Sequence, residues 1–461
     1  MERLDVVYMA PDLGSLFGAV ALAAGGLKVL VLEGEAKRPQ EKPAKDEARP
    51  GAPKEPFLLR GLRAGGFLEP LLNRLGLLNR AREKVERIDP SFQVVTPDAR
   101  VEVCASKEDI MREFAREFGS ASKGAAALFS GFEQLGGEVY RVMGGDNFPS
   151  LPKGIGGKLF RRATPDPEVE PLRTAPLSQL LADHALPEKF RMFLLAAIAG
   201  LGAPGGDGMA AAAAAAVIDS ARRGLYRADE TELTKMILST FKTRGGYTFP
   251  LQELEAAEMT GREIGALRMP KSNYIKSRLF IGSFSQWAEY LPQEIKKTLL
   301  PPSSHNAHRL DITVNSEAIP VGMKDRVIFL PQHAKVIRPE HVTRISLSPA
   351  FDADGASMRI VSAQSIRPGG KDAREELRRH VLEIIPFLDE HSRNEQYTVE
   401  TIPRILDTQR PFLEPPPNGA IDNLLPNEGE YLSDMGIGDG VISSRILARV
   451  ILRKLGLRAE I

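Results

Sequence analysis

The chain has 461 residues, 61 basic and 60 acidic, so its net charge of +1 gives no global field of the kind that gathers nucleic acid or an anionic membrane. A hydrophobic content of 43% predicts a compact fold, and the length predicts two or more lobes, since domains run to roughly 100 to 200 residues. The single cysteine, Cys104, excludes an intramolecular disulfide framework and a multi-cysteine zinc site, which fits a reducing, cytoplasmic setting.

From Met1 to Asp5 the sequence leads directly into a strand without the basic and apolar regions of a secretory signal, so no export is expected. Residues 5 to 9 and 27 to 32 are β-rich apolar runs of the kind buried on both faces of a parallel sheet. Small and apolar residues from about Gly14 to Ala24 predict a helix between them, which makes a βαβ unit with a right-handed crossover. The stretch 34–56 is dense in Lys, Glu, Pro and Ala and lacks apolar periodicity, so a flexible surface insertion is expected there.

Residues 57 to 145 and 170 to 242 read as mainly helical, broken by the stretches Gly144 to Gly157 and Gly202 to Gly208, and form a candidate cap. The apolar run Met209 to Ile218, with Ala210 to Ala216 inside it, falls far short of the ~20 residues that span a bilayer and reads as a tightly packed helix. Leu310 to Val314, Arg326 to Leu330 and Arg359 to Ala363 are strand-like runs typical of a half-exposed antiparallel sheet. Lys371 to Leu388 has apolar residues at helical spacing and should lie across that sheet, and Gly440 to Leu455 reads as a further amphipathic helix.

In a dinucleotide-binding βαβ unit the first strand ends in Gly-x-Gly-x-x-Gly, and an acidic residue ends the second strand to take ribose hydroxyls. Glu33 holds the acidic position, whereas the three glycine positions are Ala10, Asp12 and Ser15, in the run Ala10-Pro11-Asp12-Leu13-Gly14-Ser15. Ala10 and Ser15 are small enough for the tight turn and for helix packing. Asp12 adds bulk and like charge where the backbone would approach a pyrophosphate. Two readings stand: a weakened nucleotide site, or an ordinary βαβ unit in which Asp12 caps the helix and fills the anion position with its own carboxylate.

The opening resembles the FAD-binding start of phytoene desaturases and related flavin amine oxidases, and later segments follow that family's order. Gly224-Leu-Tyr-Arg-Ala-Asp229, a helix and Arg244-Gly-Gly-Tyr247 resemble the family's central return to the FAD domain, with Leu254 at the position that meets adenine. Leu279 to Ser285, followed by Trp287 to Pro292, is similar to the strand and loop that often read Ala-Thr-Pro. Ile312 to Leu330 and Ile345 to Phe351 resemble paired substrate-domain strands. Tyr431 to Asp434, with Ser443 to Ala448, resembles the C-terminal flavin motif. Departures fall on cofactor positions: Asp12 for glycine, Gly51-Ala52 and Ala228-Asp229 for Gly-Gly pairs, and Ser433 for glycine.

The resemblance implies an α/β fold: a Rossmann-like FAD/NAD(P)-binding domain with an α+β substrate domain and a helical cap. Segments 1–70 (with 34–56 as insertion), 225–290 and 425–461 would form the dinucleotide-binding domain. Segment 71–224 would be the helical cap and substrate domain, and 291–424 the antiparallel-sheet substrate domain. The implied cofactor is FAD, and the implied cofactor-binding residues are Ala10, Pro11, Asp12, Leu13, Gly14, Ser15, Glu33, Leu254, Asp434 and Ser443. The function implied is that of a FAD-dependent oxidoreductase acting on an apolar, isoprenoid or lipid-like substrate with weakened flavin binding. Chemistry there belongs to the cofactor, so no catalytic side chain is nominated. The alternative is non-catalytic: Rab GDP-dissociation inhibitors share the fold without flavin and bind prenylated partners, and by that analogy the chain would bind a lipid or protein partner.

Other chemistry has little support. Seven histidines are scattered, and the close pair His305 and His308 reads as part of a solvated loop, so no metal is expected. No Gly-x-Ser-x-Gly elbow or P-loop is present, which removes hydrolase and kinase readings. Trp287 and Tyr290, three apart, read as core packing in preference to a cavity lining. The expected partners are an apolar small molecule or lipid, peripheral membrane contact and a protein partner, with no nucleic acid.

Overall fold

Strand β1 (Leu4–Met9) runs parallel to strand β2 (Val29–Glu33), with Val6 opposite Val29 and Met9 opposite Leu32, and helix α1 (Leu13–Ala24) makes the crossover. Alternation splits the apolar side chains between two layers. Val6, Tyr8, Val29 and Val31 pack with α1, while Val7, Met9, Leu30 and Leu32 enter a second cluster on the opposite face. With both faces covered, these strands need the continuous apolar runs the sequence shows. The computed structural model describes residues 3–9, 13–34, 57–62, 68–144, 175–184, 186–202, 209–223, 225–282, 284–299, 305–351, 357–367, 372–402, 421–426, 447–448 and 451–452. Beyond Gly34, the 34–56 insertion lies outside these residues.

The stretch read as mainly helical begins instead with strands. Strand β3 (Phe57–Leu59), helices α2 (Leu68–Arg74) and α3 (Leu78–Arg82), and strand β4 (Val85–Arg87) lead into a hairpin of β5 (Phe92–Thr96) and β6 (Ala99–Val103). Helices then follow: α4 (Lys107–Phe118), α5 (Ser122–Gly144), α6 (Leu177–Asp183), α7 (Glu188–Gly200) and α8 (Ala211–Arg223). Ala211 to Ala216 of the alanine run lie buried in α8, and α5 passes close to it: a Cβ on Gly136 would stand 3.1 Å from Asp219 Cβ and 3.3 Å from the Ala215 carbonyl oxygen. In the same region buried Arg222 pairs with Glu133 and donates to the Ala105 carbonyl at 3.1 Å, tying α8 to α5 and to the end of the hairpin.

Strand β7 (Tyr226–Ala228) lies between β3 and β4 in a small antiparallel ladder. Helix α9 (Glu230–Thr243) follows and packs on α1, and strand β8 (Tyr247–Pro250) pairs parallel to β2. Strands β9 (Ala256–Thr260), β10 (Glu263–Met269) and β11 (Asn273–Ile275) form an antiparallel meander before the chain returns along β12 (Ser277–Gly282) beside β1. Two short helices come next, α10 (Phe284–Ala288) and α11 (Gln293–Leu299).

A larger sheet then forms from β13 (His305–Asn315), β14 (Arg326–Phe329), β15 (Thr343–Phe351) and β16 (Ser357–Arg367). Helix α12 (Ala373–Ile384) packs across it through Leu377 and Val381, and after the short helix α13 (Leu388–His391) strand β17 (Ser392–Ile402) joins its edge. The seven-stranded order is β17-β13-β16-β15-β14-β5-β6. It is mixed, not purely antiparallel, because β14 takes up β5 in parallel. His305 and His308 are strand residues, not loop residues, and His308 is buried with its Nδ1 2.7 Å from the Tyr397 hydroxyl.

The chain finally adds β18 (Leu424–Pro426) to the first sheet, whose order is β18-β12-β1-β2-β8. Of the helix expected over Gly440 to Leu455, residues 447–448 and 451–452 are described, are helical and pack in the α1 cluster. The fold is thus α/β: a Rossmann-like parallel sheet with α1 and α9 on one face and the β9–β11 meander on the other, joined to a helical region and a mixed sheet.

Candidate functional site

Glu33 is the last residue of β2, at the carboxyl edge of the parallel sheet where α/β proteins place ligands. Its place in the alternation aims it to the α1 and α9 side. Lys242, near the end of α9, brings its Nζ to 3.4 Å from Glu33 Oε1. That oxygen is buried and accepts no hydrogen bond, so the ammonium stands at ion-pairing distance without hydrogen-bond geometry. The pair lines an open groove of about 560 Å³ with Lys235, Leu238, Ser239 and Thr243. Gly34 follows at φ +101, a left-handed conformation that favours glycine, and a Cβ there would stand 3.3 Å from Gln252 Nε2.

Of the other residues implied by the resemblance, Leu13, Gly14 and Ser15 form the buried first turn of α1. Leu254 is buried against the sheet face opposite α1, among Val7, Met9, Leu30, Leu32 and Leu251. Ala10, Pro11, Asp12, Asp434 and Ser443 lie outside the described residues. Trp287 is fully buried in the Leu254 cluster, edge-on to Phe280 with ring centroids 5.4 Å apart, and its Nε1 has no hydrogen-bond partner. Gly282 leaves room for it, since a Cβ there would stand 2.6 Å from that nitrogen.

Three features of the site escaped the sequence. Lys242 and Gln252 come to the end of β2 only through the tertiary fold. Asp229, read as a departure from a glycine pair, is the N-cap of α9 and accepts from the Glu232 amide at 3.1 Å. The Asp-x-x-Glu spacing of Asp229 and Glu232 is the signal that would have found it.

The residues present fit the ribose side of a dinucleotide. A buried carboxylate oxygen without a donor, at the end of the second strand and beside a positive-φ glycine, is an acceptor for vicinal hydroxyls. Among the described residues no cluster of three or more His, Cys, Asp and Glu is arranged to hold a metal ion, and no helix is long and apolar enough to cross a membrane.

The fold defines a Rossmann-like α/β protein with an acidic residue, Glu33, at the end of the second strand of its parallel sheet. No protein-family model matches the chain, and no curated protein matches it in sequence. Solved structures match it over nearly its whole length. A Rab GDI from Plasmodium falciparum aligns with a TM-score of 0.56 at 10% identity, covering 98% of this chain and 98% of that one. An oxidoreductase from Methanosarcina mazei gives 0.54 at 11% identity, covering 96% of this chain and 99% of that one. Cyclohexylamine oxidase from Brevibacterium oxydans gives 0.50 at 12% identity, covering 99% of this chain and 100% of that one. At such identities the likeness shows the fold, which this chain shares with a Rab GDI and with oxidoreductases.

Proposed function

We propose that the protein is a FAD-dependent oxidoreductase of the phytoene desaturase type, acting on an apolar, isoprenoid or lipid-like substrate, with weakened flavin binding. The observation that carries this reading is Glu33, whose buried Oε1 lacks a hydrogen-bond donor at the end of β2. In this reading Glu33 accepts from the adenosine ribose hydroxyls, and the first turn of α1, with Leu13, Gly14 and Ser15, offers its amides to the diphosphate. Asp12 opposes the diphosphate by like charge. Leu254 is assigned to the adenine side, and Asp434 and Ser443 to the flavin ring side. FAD, when bound, supplies a hydride acceptor. The chain contributes orientation and a dry environment.

The division into segments 1–70, 225–290 and 425–461 for the nucleotide domain, 71–224 for the cap and 291–424 for the substrate sheet is part of this proposal. So are a cytoplasmic location and peripheral contact with a membrane that holds the apolar substrate.

One observation favours a second reading. Lys242 already pairs with Glu33, which suits a binding protein of the Rab GDI kind that has lost FAD and holds a lipid or protein partner. The two readings separate on freshly purified protein. Bound oxidised flavin absorbs near about 450 nm and is released as FAD on denaturation. A yellow protein with one FAD per chain supports the oxidoreductase. A preparation that is colourless, and stays so after dialysis against FAD, supports the binding protein.

A further inference from the structure

We infer that Lys242 stands in for the nucleotide ribose at Glu33 and lowers affinity for adenosine nucleotides by competing for its carboxylate. The inference rests on the nucleotide reading of Glu33 and adds a residue that sets the strength of that site. Three observations converge on it. Lys242 Nζ lies 3.4 Å from Oε1, the oxygen that accepts no hydrogen bond. Both residues line the same open groove, so the ammonium and an incoming hydroxyl approach one acceptor. The lysine is 53% exposed on the last turn of α9, so water can take its ammonium when a ligand displaces it.

The physical consequence has an unusual sign. Removing a positive charge beside a phosphate-bearing ligand ordinarily weakens binding by lost attraction. At position 242 the removal instead leaves the Glu33 carboxylate without its cation, and a ribose hydroxyl becomes the best available donor. Lys235 lines the same groove but pairs with Glu232 at 3.0 Å, so it carries a similar charge without contacting Glu33. It is the internal control.

The test is equilibrium dialysis of ADP and of 2′-deoxy-ADP against wild type, Lys242→Met and Lys235→Met, with FAD titrated into the same samples and unfolding curves run on each. An exposed ion pair is worth up to about 1 kcal/mol, so Lys242→Met should tighten ADP by up to about fivefold. The gain should be smaller for 2′-deoxy-ADP, and Lys235→Met should leave ADP affinity unchanged or weaker. Unchanged or weaker ADP binding in Lys242→Met overturns the inference, as do equal gains for the two nucleotides, or ADP binding to none of the proteins. Uptake of FAD by the wild type keeps the flavin reading standing in each of those cases, so the two failures are told apart.

Discussion

Leu452 lies against Gly25 so closely that a Cβ on Gly25 would stand 2.3 Å from Leu452 Cδ2. The contact joins the C-terminal segment to the turn after α1, and Leu452 is 1% exposed within the cluster that covers the α1 face of the first sheet. Leu452→Ala should therefore cost roughly 2 to 5 kcal/mol, the range for a buried leucine whose cavity does not collapse. Urea unfolding measures it. A loss below about 0.5 kcal/mol would mean that the segment does not seal that core.

Tyr8 points into the same cluster from β1, fully buried, with a hydroxyl that has no hydrogen-bond partner. Burial pushes its phenol up, far above the ordinary range, so it stays protonated at any working pH. An unsatisfied buried O–H carries a desolvation cost with no bond to offset it. Tyr8→Phe should raise the unfolding free energy by about 1 kcal/mol. Destabilisation of that size would show that the hydroxyl has an acceptor after all.

His380 on α12 is buried, with Nδ1 2.8 Å from Thr343 Oγ1 and Nε2 3.7 Å from Glu376 Oε1. Burial holds its imidazole down to about 4; Glu376 pulls it up, and Arg379 and Arg367 push it further down. Unfolded, it titrates near 6.5, so the unfolded chain takes up the extra proton between these values. Its contribution to stability is complete above pH 6.5 and is lost as the pH falls toward about 4. A pH series of urea unfolding curves should show this acid limb, shallower in His380→Gln. Equal limbs in the two proteins would assign the effect elsewhere, for instance to Glu376, which burial raises but Arg367 pulls lower overall.

The first βαβ unit was legible because both of its strands are buried on two faces and read as unbroken apolar runs. Strand β13 was legible for the opposite reason, a clear alternation of buried His308, Leu310, Ile312 and Val314 with half-exposed neighbours, whereas β14 is buried on both faces, Val327 and Phe329 in the α12 cluster and Ile328 in the α1 cluster, and β16 is buried along most of its length. The β5–β6 hairpin was missed inside a region dominated by helices, although Phe92, Val94, Val101 and Val103 alternate inward around a turn at Pro97-Asp98. Three-residue strands such as β3, β4 and β7 are too short for any period to register. The place of Glu33 at the end of β2 was legible from the motif. Lys242 could not be, because its partner is set by how α9 packs on α1 and not by sequence spacing.

Fluorescence titration of FAD into wild type and Asp12→Gly tests most directly the proposal that the Asp12 charge weakens flavin binding. On that proposal the Asp12 carboxylate competes for the helix amides a diphosphate would use, and glycine frees them. The expected result is weak or no binding in the wild type and a gain of roughly ten- to a hundredfold in Asp12→Gly at equal salt. Tight, stoichiometric FAD in the wild type with no gain on substitution would contradict it.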